Sequence, residues 1–480
     1  CSFCTEDCNG TCEIAQSAIL GKRTVYPTTT GSNQIASEKD YPIDYSHFNI
    51  NGRVFGALGT KEHYETATIF NVNLEQTYGF NHPVKLALPL TLPALIKLNW
   101  QDYFSGAAMA GVTCFIGEGA IHNDKEALIE NGKALESPLI KEAIDCFNRY
   151  DRGYGQIVLQ SNLEDDLLGI PELALKKYKV EAIEIKFGQG AKGTQPVVLI
   201  KDLQTALAKQ AIGILVHPDP SDPDVKKAYQ DGVCPNFYSY GLLPLWTEES
   251  IKRRISKLRD MGAKNIYFKM AGYERKDIER VLRIACAEKV DMVTFDGAGG
   301  GSGYSPSKMM NEWCLPTVCL EDAVVRISEN LQAEGLTLPA LVITGGFASE
   351  DQAYKALAYG NGHIKAVGYC RAAMAAAMTG KTIGDQIQTG NIPKRFQAFG
   401  SSVEEIFTDL ADLRSLYGTK ANSFPTGAIG VFSYLNKLAF GIRHFAALNR
   451  KFDCSLFDQS DLIPLTRDAR DLMTNQWFTD

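Results

Sequence analysis

The chain has 480 residues with a formal net charge of −7 and 22% charged residues, so neither nucleic acid nor an anionic lipid surface is expected as its partner. Its 45% hydrophobic residues are ample for a full core, which excludes a disordered chain. The longest apolar stretch, 427–448, contains Lys437, Arg443 and His444 and does not read as a membrane span; a cytoplasmic protein is expected.

The chain opens on Cys1, Cys4, Cys8 and Cys12, interleaved with Asp7, Asn9 and Gly10. Turns at Asp7 and Asn9-Gly10 can fold this segment back so that four thiols converge on one ion or cluster. A 4Fe-4S cluster and tetrahedral zinc both accept four thiolates. The common zinc spacing pairs two C-x2-C units across a longer loop, so the compact run here favours the cluster, with zinc, disulfides and a disordered tail left open. The other eight cysteines (Cys114, Cys146, Cys234, Cys286, Cys314, Cys319, Cys370, Cys454) are scattered singly and read as reduced thiols packed as small hydrophobes. Residues 1–60 are poor in periodicity and read as an arm that carries the cysteine site.

From residue 61 to 385, eight apolar runs alternate with amphipathic stretches, which predicts a parallel sheet closed into a (β/α)8 TIM barrel. The strands are expected at 84–90, 112–116, 156–160, 182–187, 266–270, 292–295, 341–344 and 364–368. Helices are expected between them, among them 250–261, with Thr247 as N-cap and Ser250 three residues on, and 275–288. A ninth run, 212–216, falls in the long interval between strands four and five and is assigned to an excursion from the barrel. Residues 386–480 turn mainly helical, with an amphipathic segment at 403–416 and one or two helices over 428–448, and form a C-terminal extension.

The chemistry concentrates where strands end. The sixth run empties into Asp296-Gly297-Ala298-Gly299-Gly300-Gly301-Ser302-Gly303, the seventh into Gly345-Gly346, and the eighth into Gly368-Tyr369-Cys370-Arg371. Glycines at strand ends let backbone N–H groups approach an anion, and a (β/α)8 barrel holds phosphate after strands seven and eight. A phosphate-bearing cofactor is therefore expected. The stretch 297–303 fails as a dinucleotide fingerprint, because Ser302 occupies the third glycine position and six strands precede it.

These residues resemble the FMN-binding domain of glutamate synthases, most closely the stand-alone archaeal-type members. The likeness covers roughly residues 80–390. It is carried by Gly117-Glu118-Gly119-Ala120, by Gln160 in Leu159-Gln160-Ser161, and by Lys186-Phe187-Gly188-Gln189-Gly190-Ala191-Lys192. It continues in Lys269 of Tyr267-Phe268-Lys269-Met270, in the run from Asp296 to Pro306, and in the glycines at 345, 346 and 368 with Arg371. The resemblance implies FMN gripped by Gly300, Gly301, Ser302, Gly303, Gly345, Gly346, Gly368, Tyr369, Cys370 and Arg371, with Lys269 against the flavin. Two positions depart from the larger synthases: Ala298-Gly299 stands where they have His-Asp, and 373–380 lacks the three cysteines of their 3Fe-4S cluster. The N-terminal cysteines are placed to supply a redox centre from the other end.

Reduction of a flavin adds negative charge near N1 and O2, and a strand-borne lysine there offsets it. Lys269 and Lys186 both end predicted strands; the plainer reading is a lysine that snorkels into solvent. Glu118 suits acid–base work or a substrate amine, or is a solvated loop carboxylate. Gln160 suits the isoalloxazine edge, Gln189 and Lys192 a substrate, and Asp296 a structural role. The implied function is FMN-dependent oxidation or reduction of an amino or imino acid of the glutamate/2-oxoglutarate type, with electrons passing through the N-terminal 4Fe-4S cluster. The implied partner is a ferredoxin or another redox subunit, and a homo-oligomer is compatible with it. A non-catalytic flavin and iron–sulfur electron-transfer subunit is the alternative.

Overall fold

The computed structural model describes residues 18–19, 40–95, 98–188, 198–298, 300 and 312–476. The four N-terminal cysteines, Gln189, Lys192, Gly301, Ser302 and Gly303 lie outside the described residues. Eight strands close a barrel in chain order: β1 (Leu90–Leu95), β2 (Thr113–Ile116), β3 (Ile157–Ser161), β4 (Ala182–Lys186), β5 (Asn265–Ala271), β6 (Met292–Asp296), β7 (Ala340–Thr344) and β8 (Ile364–Gly368). Every neighbouring pair is parallel. Most of these strands are buried on both faces, which is why they read as unbroken apolar runs rather than alternating ones.

The predicted first strand is out of place. Residues Val84–Leu86 belong to a hairpin with Gln76–Tyr78, and the barrel strand follows it. The apolar run continues through Thr91 to Leu95, but Pro93 has no N–H to give a ladder and hides the strand from a pattern reading. The register between β1 and β2 indeed shifts between Leu92 and Leu95. The other seven strands lie within a residue or two of their predicted bounds.

The hairpin has a purpose in the fold. Tyr78, Val84 and Leu86 pack with Phe115, Val158, Ala182, Tyr267, Met292, Ala340, Val342 and Ala366, the inward side chains near the strand beginnings. Tyr78 hydroxyl lies 3.1 Å from that of Tyr267 and 2.8 Å from Thr113 Oγ1. This apolar layer closes the bottom of the barrel. Side chains alternate faces along a strand, so the inward positions two residues further on form the next layer up.

The run at 212–216 does leave the barrel. Leu215–His217 joins Val198–Ile200 and Phe237–Tyr240 in a separate antiparallel sheet with its own small core of Ile200, Ala206, Ile214, Val216 and Phe237. The expected helices after it are present as Glu248–Asp260 and Arg275–Ala287, the first opened by a reciprocal Thr247–Ser250 capping box.

Four longer helices matter below: α1 (Trp100–Ala110), α2 (Thr317–Ala333), α3 (Arg371–Gln388) and α4 (Thr426–Leu448). The apolar stretch near the C-terminus is one helix, α4, laid across α1 and α3. Small residues allow the close approach: a Cβ on Gly430 would stand 2.6 Å from the Ala376 carbonyl oxygen. No described helix is long and apolar enough to cross a membrane. The predicted helix at 403–416 is interrupted, since the chain leaves helical geometry at Phe407 (φ −92°, ψ 78°), giving Val403–Ile406 and Leu410–Tyr417. Strand Phe48–Ile50 pairs antiparallel with Leu462–Pro464, so the arm and the C-terminal extension meet. The eight scattered cysteines are all free thiols.

Candidate active site at the barrel mouth

Above the apolar layer the inward positions change character. Gln160 on β3, Glu184 and Lys186 on β4, Lys269 on β5, and Thr294 and Asp296 on β6 are all buried. They occupy one stretch of neighbouring strands: Gln160 is opposite Glu184, Lys186 opposite Lys269, and Lys269 opposite Thr294 in the ladder. Six adjoining polar groups in a barrel interior are expensive to bury without a use, which marks this end as the working one.

Lys186 Nζ forms an ion pair with Glu118 Oε1; the two side chains are 4% and 10% exposed. Glu118 comes from the loop after β2, where Gly119 turns left-handed (φ 68°) and donates its N–H to Asp165. Lys269 Nζ lies 3.7 Å from Asp296 Oδ2, both almost fully buried. Neither lysine snorkels to solvent. Burial alone would depress the Lys269 ammonium, but Asp296 and Glu184 beside it outweigh that and raise its pKa. Glu184 accepts a hydrogen bond from Gln160 Nε2. Burial pushes its carboxyl up to about 7, against the opposing pull of Lys269, Gln160 and Lys186. Cys370, between β8 and α3, is raised by burial although Lys269 opposes the shift.

Two buried polar atoms of this layer, Gln160 Oε1 and Thr294 Oγ1, have no hydrogen-bond partner among the described residues. Such orphans ordinarily mark a place for a missing partner.

The glycine-rich ends lie beside this layer. Gly345 (φ 118°) and Gly346 (φ 87°) both take conformations that favour glycine. A Cβ on Gly345 would sit 2.9 Å from Thr317 Oγ1, whereas one on Gly346 would meet nothing within 4 Å among the described residues. Thr317, the first residue of α2, holds the turn by donating to the Gly345 carbonyl at 2.8 Å. Helix α3 begins at Arg371 with no side-chain cap from Cys370. Its first-turn N–H groups are thus left for a ligand or solvent. Arg371 itself is exposed.

The remaining sequence candidates have other engagements. Tyr369 is fully buried; its hydroxyl donates to the Ser349 carbonyl at 2.7 Å and its N–H to that of Thr91 at 3.0 Å. Gly368 packs against Pro93 and Thr344, and Gly300 against the Asp296 carboxylate, where an added Cβ would overlap them. The described residues hold no group of three or more His, Cys, Asp or Glu arranged for a metal ion. Sequence reading missed Glu184 and Thr294. The signal for the first was present: Ala182, Glu184 and Lys186 alternate as the inward face of an otherwise apolar strand.

Residues 243–381 match the family described as "Conserved region in glutamate synthase". Over these residues the chain is similar to that glutamate synthase region. The matched stretch spans β5 to β8 and the start of α3, and so contains Lys269, Asp296, Gly345, Gly346 and Arg371, while Glu118, Gln160, Glu184 and Lys186 precede it. No curated protein matches the chain. Among solved structures, a flavocytochrome b2 variant with sulfite bound is 14% identical, covering 91% of this chain and 82% of that one, with a TM-score of 0.49. A lactate oxidase of Pediococcus acidilactici is 13% identical over 93% of each chain, with a TM-score of 0.48. A soluble mutant of the membrane-associated (S)-mandelate dehydrogenase from Pseudomonas putida is 13% identical over 88% of each, with a TM-score of 0.45.

Proposed function

We propose that the protein is an FMN-dependent oxidoreductase of the glutamate synthase kind, cytoplasmic, acting on an amino or imino acid of the glutamate/2-oxoglutarate type. One observation carries the reading: two buried lysines among three carboxylates lie next to a glycine turn and an uncapped helix N-terminus at the ends of β7 and β8. The residues present fit the mononucleotide. Gly346, the first turn of α3 and Arg371 suit its phosphate, and the unpartnered Gln160 Oε1 and Thr294 Oγ1 suit a polar ring edge.

When bound, FMN would supply a two-electron acceptor. Lys269 holds a positive charge fixed by Asp296 in the barrel interior, where added negative charge gains most from it. Lys186 and Glu118 form the adjoining pair at the mouth, placed to orient a substrate carboxylate or amine. Electrons would enter or leave through a 4Fe-4S cluster on Cys1, Cys4, Cys8 and Cys12, a reading that rests on their spacing, with a ferredoxin or another redox subunit as partner.

Anaerobic purification, followed by mass analysis of the released chromophore and assay of iron and acid-labile sulfide, tests both halves. FMN with four irons per chain is expected. FAD, or no flavin after reconstitution, defeats the flavin reading; stoichiometric zinc without iron defeats the cluster. Flavin reduction by glutamate, or its reoxidation by 2-oxoglutarate with ammonia, tests the substrate class.

A further inference from the structure

We infer that Glu184 takes up a proton when the flavin is reduced, so that two electrons entering the site bring two protons, one to the flavin and one to this carboxylate. The inference rests on the flavin reading above and concerns how the same site balances charge.

Glu184 is 1% exposed, in the middle of β4 and on its inward face. Its hydrogen-bond donor is neutral, the Gln160 amide from β3. The charged and titratable groups that face it come from every neighbouring element. Lys186 is on its own strand, Lys269 and Tyr267 are on β5, and Glu118 reaches in from the loop after β2. Behind Lys269 stand Asp296 on β6 and Cys370 after β8. The described lysines and carboxylates of this cluster are thus two ammoniums against three carboxylates.

Lys269 is the hinge of the inference, because Asp296 and Glu184 share it. A flavin held here would, on taking two electrons from the donor and one proton, place one added negative charge beside Lys269. A further anion drawing on Lys269 weakens that lysine's hold on the Glu184 carboxylate. Glu184 then binds a second proton from solvent at the mouth; only its own O–H bond forms, and the buried charge is restored. The carboxyl is poised for this, since burial already holds its pKa at about 7.

The experiment is the midpoint potential of the FMN-loaded protein measured from pH 6 to 9, for the wild type and Glu184→Gln. In a two-electron couple each accompanying proton contributes about 30 mV per pH unit. Below about pH 7 Glu184 is protonated in both redox states, and the slope is about 30 mV per pH unit. Above it, the wild-type slope steepens to about 60 mV per pH unit, while Glu184→Gln stays near 30 throughout. Equal slopes in the two proteins overturn the inference. A second readout needs no variant: the reduced-minus-oxidised infrared difference spectrum of the wild type at pH 8, in H2O and D2O, should gain a protonated carboxyl band on reduction, and its absence also overturns the inference. Failure to bind FMN defeats the flavin reading and this inference with it, an outcome distinct from bound FMN with equal slopes.

Discussion

Replacing Lys186 by Met removes the cation of the buried pair while keeping an unbranched stem in the same channel. Breaking a buried ion pair from one side typically costs about 3–5 kcal/mol, because the stranded charge stays desolvated. Here the two sides differ. Glu118 is 10% exposed on a glycine-flanked loop and can swing toward water, whereas Lys186 is 4% exposed on a barrel strand and cannot. Lys186→Met, which removes one cation from Glu118 and leaves it able to reach water, should therefore fall at the lower end, about 3 kcal/mol. Glu118→Gln removes one carboxylate from Lys186 while Glu184 remains beside it as a counter-charge, and about 2 kcal/mol is expected. The double variant should recover at least about 1 kcal/mol relative to the sum of the single losses, the signature of residues in contact. Urea unfolding at pH 7, with m-values checked for constancy, measures all three. Losses that add without coupling would show that the pair contributes nothing and that the loop after β2 does not close over Lys186.

Lys269→Met should lower the flavin midpoint potential and slow reduction with the fold retained, whereas Lys252→Met, on the exposed face of Glu248–Asp260, should leave both unchanged; equal potentials would place Lys269 away from the ring. Asp165 is buried beneath the Gly119 turn, and burial raises its carboxyl to about 8 despite N–H donors from Gly119 and Asn162. A carboxyl raised above its unfolded value binds its proton more tightly when folded, so stability should fall as pH rises from about 4 to about 8; Asp165→Asn, which keeps an acceptor, should flatten that decline in urea midpoints. Gly430→Ala gains about 1 kcal/mol of helix propensity but drives a methyl to 2.6 Å from the Ala376 carbonyl, and overpacking of about 1–3 kcal/mol should win, lowering the melting temperature. Cys8→Ala should abolish the iron signal and leave FMN bound, as read by metal analysis and flavin absorbance.

What the sequence made legible was the part written in one period. Seven barrel strands showed themselves because burial on both faces makes a continuous apolar run, and the glycines after β6 to β8 marked where the runs stop. Strand β1 was obscured because a hairpin strand of alternating pattern, Val84–Leu86, flows into it and Pro93 sits within it. The placing of Lys186 and Lys269 at strand ends was readable, but their burial was not, because it depends on carboxylates from β6 and from a distant loop. Glu184 was overlooked for a related reason: within a five-residue strand an inward carboxylate looks like an interruption until Lys269 on the neighbouring strand joins Lys186 of its own strand beside it. Thr317, which fixes the Gly345 turn from the start of α2, carries no local signal, since its partner is 28 residues away.

The pairing of Phe48–Ile50 with Leu462–Pro464 also sets a timetable. During synthesis the first of these strands leaves the ribosome roughly 400 residues ahead of its partner, which at about 5–20 residues per second is a wait on the order of 20–80 s. The barrel's strands are complete by Gly368, so the barrel can close while the arm is still unlatched.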